Sequence, residues 1–96
     1  MKTNYEIELW KETITWQKAK SEALVDYYNA WVEFDNQWTF INGVASLIGK
    51  GLVIMSEDVD LTDCFLKINS IRYEIAQKAT FYDRRGDFHH IEIIFK

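Results

Sequence analysis

Cys64-Phe65-Leu66-Lys67-Ile68-Asn69-Ser70-Ile71-Arg72-Tyr73-Glu74-Ile75 is the stretch on which the fold turns. Two runs rich in β-branched and aromatic residues flank Asn69-Ser70, a pair suited to a two-residue turn. Such a turn pairs Ile68 with Ile71, Leu66 with Tyr73 and Cys64 with Ile75, and puts all six side chains on one face. The same register sets Lys67 opposite Arg72. That like-charge pair predicts a bulge or a longer loop.

Period-two patterning extends in both directions. Downstream, Asp83-Arg84-Arg85-Gly86-Asp87 reads as a turn, with Gly86 suited to positive φ. His89, Ile91, Ile93 and Phe95 then alternate with His90, Glu92 and Ile94. Upstream, Leu52-Val53-Ile54-Met55 reads as a short buried strand behind Gly49-Lys50-Gly51, which is expected to be a tight turn. Trp38-Thr39-Phe40-Ile41, Asn42-Gly43 and Val44-Ala45 carry a strong hairpin signal. Trp31 to Phe34 is a further strand. Tyr5, Ile7 and Leu9 alternate with Glu6 and Glu8, and Ile14 and Trp16 continue that strand.

Between these lies an ambiguous segment. Across Gln17 to Ala30 and into the next run, Ala19, Ala23, Leu24, Tyr27, Tyr28 and Trp31 fit a helical stripe. Asp26 to Asn29 fits a strand end and turn equally well. The expectation is a mainly β chain: a small barrel or sandwich of about six to eight short antiparallel strands, with at most one short helix.

Length and composition set limits on that core. The chain has 96 residues, 48% hydrophobic and 16% aromatic, with no proline and one cysteine. It reads as one domain spanning residues 1–96, too aromatic for a disordered chain and without the cysteines of a disulfide scaffold. No apolar run reaches a membrane span, and Glu6 and Glu8 break any signal-peptide pattern, so a cytoplasmic origin and no membrane partner are expected. Eleven Lys and Arg stand against fifteen Asp and Glu, a net charge of −4. Each half of the chain is itself acidic, so no basic arm exists and sequence-specific nucleic-acid binding is not expected.

The residues that could carry chemistry read mostly as structural. His89 and His90 are adjacent on a strand and should point to opposite faces, so they form no spaced ligand set, and no metal is expected. Glu57-Asp58-Val59-Asp60-Leu61-Thr62-Asp63 lacks the glycine and glutamate of an EF-hand loop and is expected to be a solvated connection with strand-terminating aspartates. Gly49-Lys50-Gly51 lacks phosphate-loop spacing. Cys64 sits in an apolar strand and should be unreactive. No nucleophile motif is present, so neither an enzyme nor a cofactor is expected.

What remains points to contact with proteins. Arg84 and Arg85, with Arg72 and Lys78, could form a basic patch beside Phe81, Tyr82 and Phe88. Arginine with aromatics marks protein-binding hot spots more than phosphate contacts in so acidic a chain. Trp10, Trp16, Trp31 and Trp38, with Tyr27 and Tyr28, exceed what one small core comfortably buries. The candidate interface residues are Tyr27, Tyr28, Trp31, Tyr82, Arg84, Arg85 and His90.

The order of these segments resembles the small neck proteins of tailed bacteriophages, the head-closure or head–tail joining (minor capsid) type. Arg72-Tyr73-Glu74-Ile75 and Asp83-Arg84-Arg85-Gly86 match the family's closing strand and Arg/Gly turn. Ala45 to Ile54 resembles its lead into a central strand, Asp60 to Cys64 its aspartate before a strand, and Tyr5 to Lys11 its first strand. Asn69-Ser70 departs from the usual glycine-containing turn. The resemblance spans most of residues 5–95. It implies a virion component, located in the host cytoplasm during assembly. Such a protein forms a homo-oligomeric ring on the connector, can be a monomer when isolated, meets portal, adaptor and tail proteins, and seals the DNA-filled head. The competing expectation is a small acidic regulatory or inhibitor protein that binds another protein through an aromatic surface.

Overall fold

Alternation becomes strand, and the strands close on one another. The computed structural model describes residues 2–41 and 44–96, with side chains described at 2–35 and 51–96. Six strands run in chain order: β1 (Tyr5–Ile14), β2 (Lys20–Ile41), β3 (Val44–Met55), β4 (Cys64–Ile68), β5 (Ile71–Tyr82) and β6 (Phe88–Phe95). They form a closed antiparallel barrel in the order β1-β2-β3-β6-β5-β4. The expected mainly β barrel is therefore what forms, and no helix occurs among the described residues.

Two three-strand meanders build the barrel. The crossing segment from Ser56 to Asp63 joins them and lets β4 pair with β1, Ile7 opposite Ile68 and Leu9 opposite Leu66. Closure removes the free edges that an open sheet would present. One side of each strand faces inward. Ile7, Leu9, Ala30, Val32, Val53, Met55, Leu66, Ile68, Ile91, Ile93 and Phe95 form the buried core. Each larger aliphatic among them contributes about 2 kcal/mol by leaving water. The edge-to-face contacts of Phe95 with Tyr73 (4.8 Å) and Phe34 (5.7 Å), and of Phe34 with Tyr5 (5.8 Å), extend this core.

The strands outrun the barrel at both ends. β1 leaves β4 after Lys11, yet pairs with β2 through Ile14 opposite Lys20. β3 joins β6 only from Gly51 onward, yet pairs with β2 from Val44. Two hairpin extensions result, pointing away from opposite ends. They explain a radius of gyration of 15.5 Å, where a compact chain of this length would give about 12.5 Å.

Several local expectations change. The ambiguous segment to Ala30 is a turn followed by strand, not a helix, and Asp26 to Asn29 lies mid-strand in β2. Gly49-Lys50-Gly51 is not a turn but continuous β3, paired with Asn36, Asp35 and Phe34. Gly51 stands there because the barrel leaves no room for a side chain: a Cβ would meet the Glu33 carbonyl oxygen and come 2.5 Å from Phe95 Cζ. The Asn42-Gly43 turn lies outside the described residues.

The β4–β5 hairpin keeps its expected turn, with Asn69 at φ 53° and Ser70 at φ 66°, and pairs Ile68 with Ile71 and Leu66 with Tyr73. Cys64 does not reach Ile75. The ladder stops at Phe65–Glu74, and Cys64 pairs instead with Lys11 of β1. Lys67 does face Arg72, without a bulge or longer loop between them. Side chains relieve the repulsion: Arg72 reaches Glu12, Glu22 and Glu74, and Lys67 lies over the Trp10 ring.

Candidate functional site

The outer face of β2, β3, β6 and β5 carries apolar groups where a wet barrel surface would carry charge. Trp31 on β2 pairs with Ile54 on β3, Ile54 with Glu92 on β6, and His90 on β6 with Phe81 on β5. Between Trp31, Ile54, Ser56, His89, His90 and Lys2 lies an open, largely apolar groove of about 580 Å³.

One wall of this groove is fixed by a chain of contacts. The His90 ring stacks on Phe81 at 4.7 Å with an interplanar angle of 4°. His90 Nε2 lies 3.2 Å from a Glu92 carboxylate oxygen, and His90 Nδ1 lies 2.7 Å from His89 Nδ1. With Nε2–H donating to Glu92, neutral His90 offers its Nδ1 lone pair to the His89 Nδ1–H. The adjacent histidines therefore converge, against the expectation from simple strand geometry. The register shift between Phe81 and Tyr82 supplies the extra twist beside them. No group of three or more metal-ligating side chains gathers among the described residues.

The candidate interface residues separate into three places. Trp31 and His90 share the groove, and Trp31 Nε1–H donates to Glu33 at 3.0 Å. Tyr27 stands on the same outward side of β2, four residues away and 52% exposed. Tyr28 points inward against the core, and burial pushes its phenol above its usual pKa. Tyr82, Arg84 and Arg85 sit at the β5–β6 turn, where the Asp83 carboxylate accepts the Arg85 and Asp87 amides and Gly86 takes φ 85°. Tyr82 is 64% exposed.

The basic patch does not assemble. The Arg72 guanidinium is occupied by three carboxylates, and Lys78 donates to Asp58 and to the Val59 carbonyl. Arg84 and Arg85 remain as an isolated exposed pair on their turn. The acidic connection is structural. Asp60 accepts from the Thr62 amide and hydroxyl, and those bonds hold its carboxyl below the usual range. The half-buried Cys64 thiol donates to the Thr62 carbonyl at 3.3 Å, and burial raises its pKa, which lowers its reactivity.

Comparison with protein-family models, with curated proteins and with solved structures finds no match for this chain. The functional argument therefore rests on the surface itself.

One contact residue stands out that the sequence counts among its surplus tryptophans but that is missing from the candidate interface residues. Trp16, at the tip of the β1–β2 hairpin, is 89% exposed, and Ile14 beside it is 66% exposed. Thr15 and Ala19 close the turn through a 2.9 Å backbone bond, and Lys18 takes φ 61° within it. Alternation with Ile14 reads Trp16 as a strand residue, but β1 ends at Ile14 and Trp16 lies in the turn that follows.

Proposed function

We propose that this chain is a non-enzymatic structural subunit of a tailed-phage neck. It assembles as a ring on the connector, closes the DNA-filled head and joins it to the tail. The observation that carries the reading is a small closed barrel whose hairpins project from opposite ends, with exposed aromatics on one tip and on the outer wall. A ring subunit needs a rigid body and separate surfaces for its neighbours and for the layers above and below. The barrel supplies the first, and the Trp16 tip, the Trp31–His90 groove and the Arg84-Arg85 turn supply the second. The segment resemblances from Tyr5 to Phe95 favour the same role. A net charge of −4 suits a passage through which DNA phosphate must slide without sticking.

The test is co-sedimentation with the portal and adaptor rings encoded by the same genome, followed by electron microscopy. A ring of this chain on the connector is expected, together with DNA leakage and tail-less heads when its gene is deleted. No binding, with infectious particles forming normally without it, overturns the reading. The exposed aromatic surface equally favours the alternative of a small acidic protein that binds and regulates another protein. In that case the chain is absent from purified virions.

A further inference from the structure

We infer that the outer edges of the β2–β3 hairpin extension form a self-pairing surface, β3 of one copy adding antiparallel to β2 of a second copy of this chain. The inference rests on the neck reading for its biological use alone, since it names a contact between ring neighbours.

Closure protects only the strands inside the barrel. Among the described residues, β2 has no strand beside it on its β1 side beyond Ala30, and β3 has none on its β6 side before Gly51. The Asn4 side chain guards the first such position. Its amide nitrogen donates to the Val32 carbonyl at 2.9 Å and its amide oxygen accepts the Val32 N–H at 2.7 Å. Val32 also fixes the phase. In an antiparallel ladder successive residues turn their N–H and C=O to alternate sides. The β2–β3 register runs without a shift from Trp31–Ile54 to Ile41–Val44. Phe34, Asn36, Trp38 and Phe40 therefore turn their backbone groups to the outer edge of β2. Ala45, Leu47 and Gly49 turn theirs to the outer edge of β3.

The sequence leaves these edges unguarded. Edges are commonly blunted by charge, proline or a bulge. Residues 36–49 carry no charge and no proline, and form the longest uncharged run in the chain. The β1–β2 extension, by contrast, carries Lys20, Glu22 and Asp26 and has a register shift at Leu9/Trp10. β5 carries Lys78 and two register shifts.

The partner is a second copy because the two edges complement each other. Level hairpins set Asn36, Trp38 and Phe40 of one copy against Gly49, Leu47 and Ala45 of the next, three hydrogen-bonded pairs in the register the hairpin itself uses. Asp35 on β2 and Lys50 on β3 bound the uncharged run and stand opposite each other. The same alignment puts the Lys50 position of one copy beside the Asp35 position of the next. Pairing β2 with β2, or β3 with β3, offers no such opposite charges and leaves one edge of each copy bare. The contact is heterologous, so it propagates and closes into a ring where the rotation permits. Three pairs are few against the lost freedom of two whole molecules. The chain is therefore a monomer when dilute and pairs where a platform concentrates it.

The experiment follows backbone amides by NMR between about 1 mM, where a millimolar contact is substantially populated, and about 20 µM. Concentration-dependent shifts, with roughly twofold slower hydrogen exchange at the high end, are expected together at Asn36, Trp38 and Phe40 and at Ala45, Leu47 and Gly49. Asn36→Pro and Leu47→Pro each delete one outward N–H and spare the hairpin's own bonds, so each alone should abolish both effects. Mixed one to one they should pair again, since the first keeps the β3 edge and the second the β2 edge. Should either variant fail to fold, the wild-type exchange comparison decides by itself: outward amides that exchange equally fast at both concentrations are unpaired. Shifts that are absent, confined to one edge or retained in a single-edge variant overturn the proposal. Should pairing fail while the chain still binds the connector, the neck reading stands. Pairing without connector binding removes the neck reading alone.

Discussion

Arg72 sits over the Phe65 ring, its guanidinium carbon 3.8 Å from the ring centroid. Trp10 stacks against the same ring at 6.2 Å, so Phe65, on the outer side of the barrel, is only 1% exposed. A second apolar cluster thus lies outside the core, roofed by a cation. The roof is held by Glu12 and Glu22 of the β1–β2 hairpin and Glu74 of β5. Phe65→Ala should cost about 3 kcal/mol. Thermal unfolding followed by circular dichroism should show a midpoint lower by more than about 10 °C. Arg72→Ala should lower the midpoint less. Arg72→Lys should recover little of that loss, because an ammonium can neither fork across three carboxylates nor stack on the ring.

The same guanidinium gives the protein an acid-sensitive contact. Hydrogen bonding from Arg72 is the main cause holding the Glu12 carboxyl below its usual 4.5; burial pushes the other way, and a weaker contribution from Lys20 assists Arg72. A carboxylate with a depressed folded-state pKa stabilises fully above its unfolded value and loses that contribution as pH falls through the folded one. Urea midpoints should therefore fall as pH drops below about 4.5. Arg72→Gln should be less stable at neutral pH and should show a shallower decline over that acid range. Parallel curves for the two proteins would rule out the Glu12–Arg72 pair as the source.

The parts of this architecture that were legible in sequence are those where one strand face is wet and the other dry. Tyr5-Ile7-Leu9 and Ile91-Ile93-Phe95 alternate cleanly because the barrel wall separates core from solvent along them. β2 was ambiguous because residues 21–27 are exposed on both faces, Leu24, Val25 and Tyr27 among them. With no dry side, period two vanishes and a helical stripe fits as well. The Arg72 roof was illegible for another reason: Glu12 and Glu22 lie 60 and 50 residues away in the chain, joined only by barrel closure. Trp31 and His90 were each identifiable as aromatic or polar oddities, but the groove they share is made by β3 passing between their strands.

Gly51 is misread as a breaker for a reason that can be tested. Glycine in a strand often marks close approach of another group, and here the Phe95 ring lies over it. Gly51→Ala should cost about 3 kcal/mol through overpacking, since the Glu33 carbonyl on the neighbouring strand cannot move aside. A Phe95→Leu background should relieve only part of the penalty, because the carbonyl clash remains. A double-mutant cycle in urea measures that coupling.

The turn that decides the fold is not built from its best residues. Asn69 and Ser70 both take positive φ, at 53° and 66°, the pattern of a two-residue hairpin turn of type I′. Asparagine tolerates that region. Serine, with its Cβ facing the following carbonyl oxygen, pays about 1 kcal/mol for it. Ser70→Gly should therefore raise stability by less than that, about 0.5 kcal/mol, because the added freedom of the unfolded chain offsets part of the relief from strain. The converse change belongs at Gly86, whose φ is 85° with nothing within 4 Å of a Cβ built there. Gly86→Ala should cost about 1 kcal/mol from backbone strain alone. Opposite signs at the two turns, measured by urea unfolding with unchanged m-values, would tie both effects to φ and not to contacts; a gain or a loss at both would refute that cause.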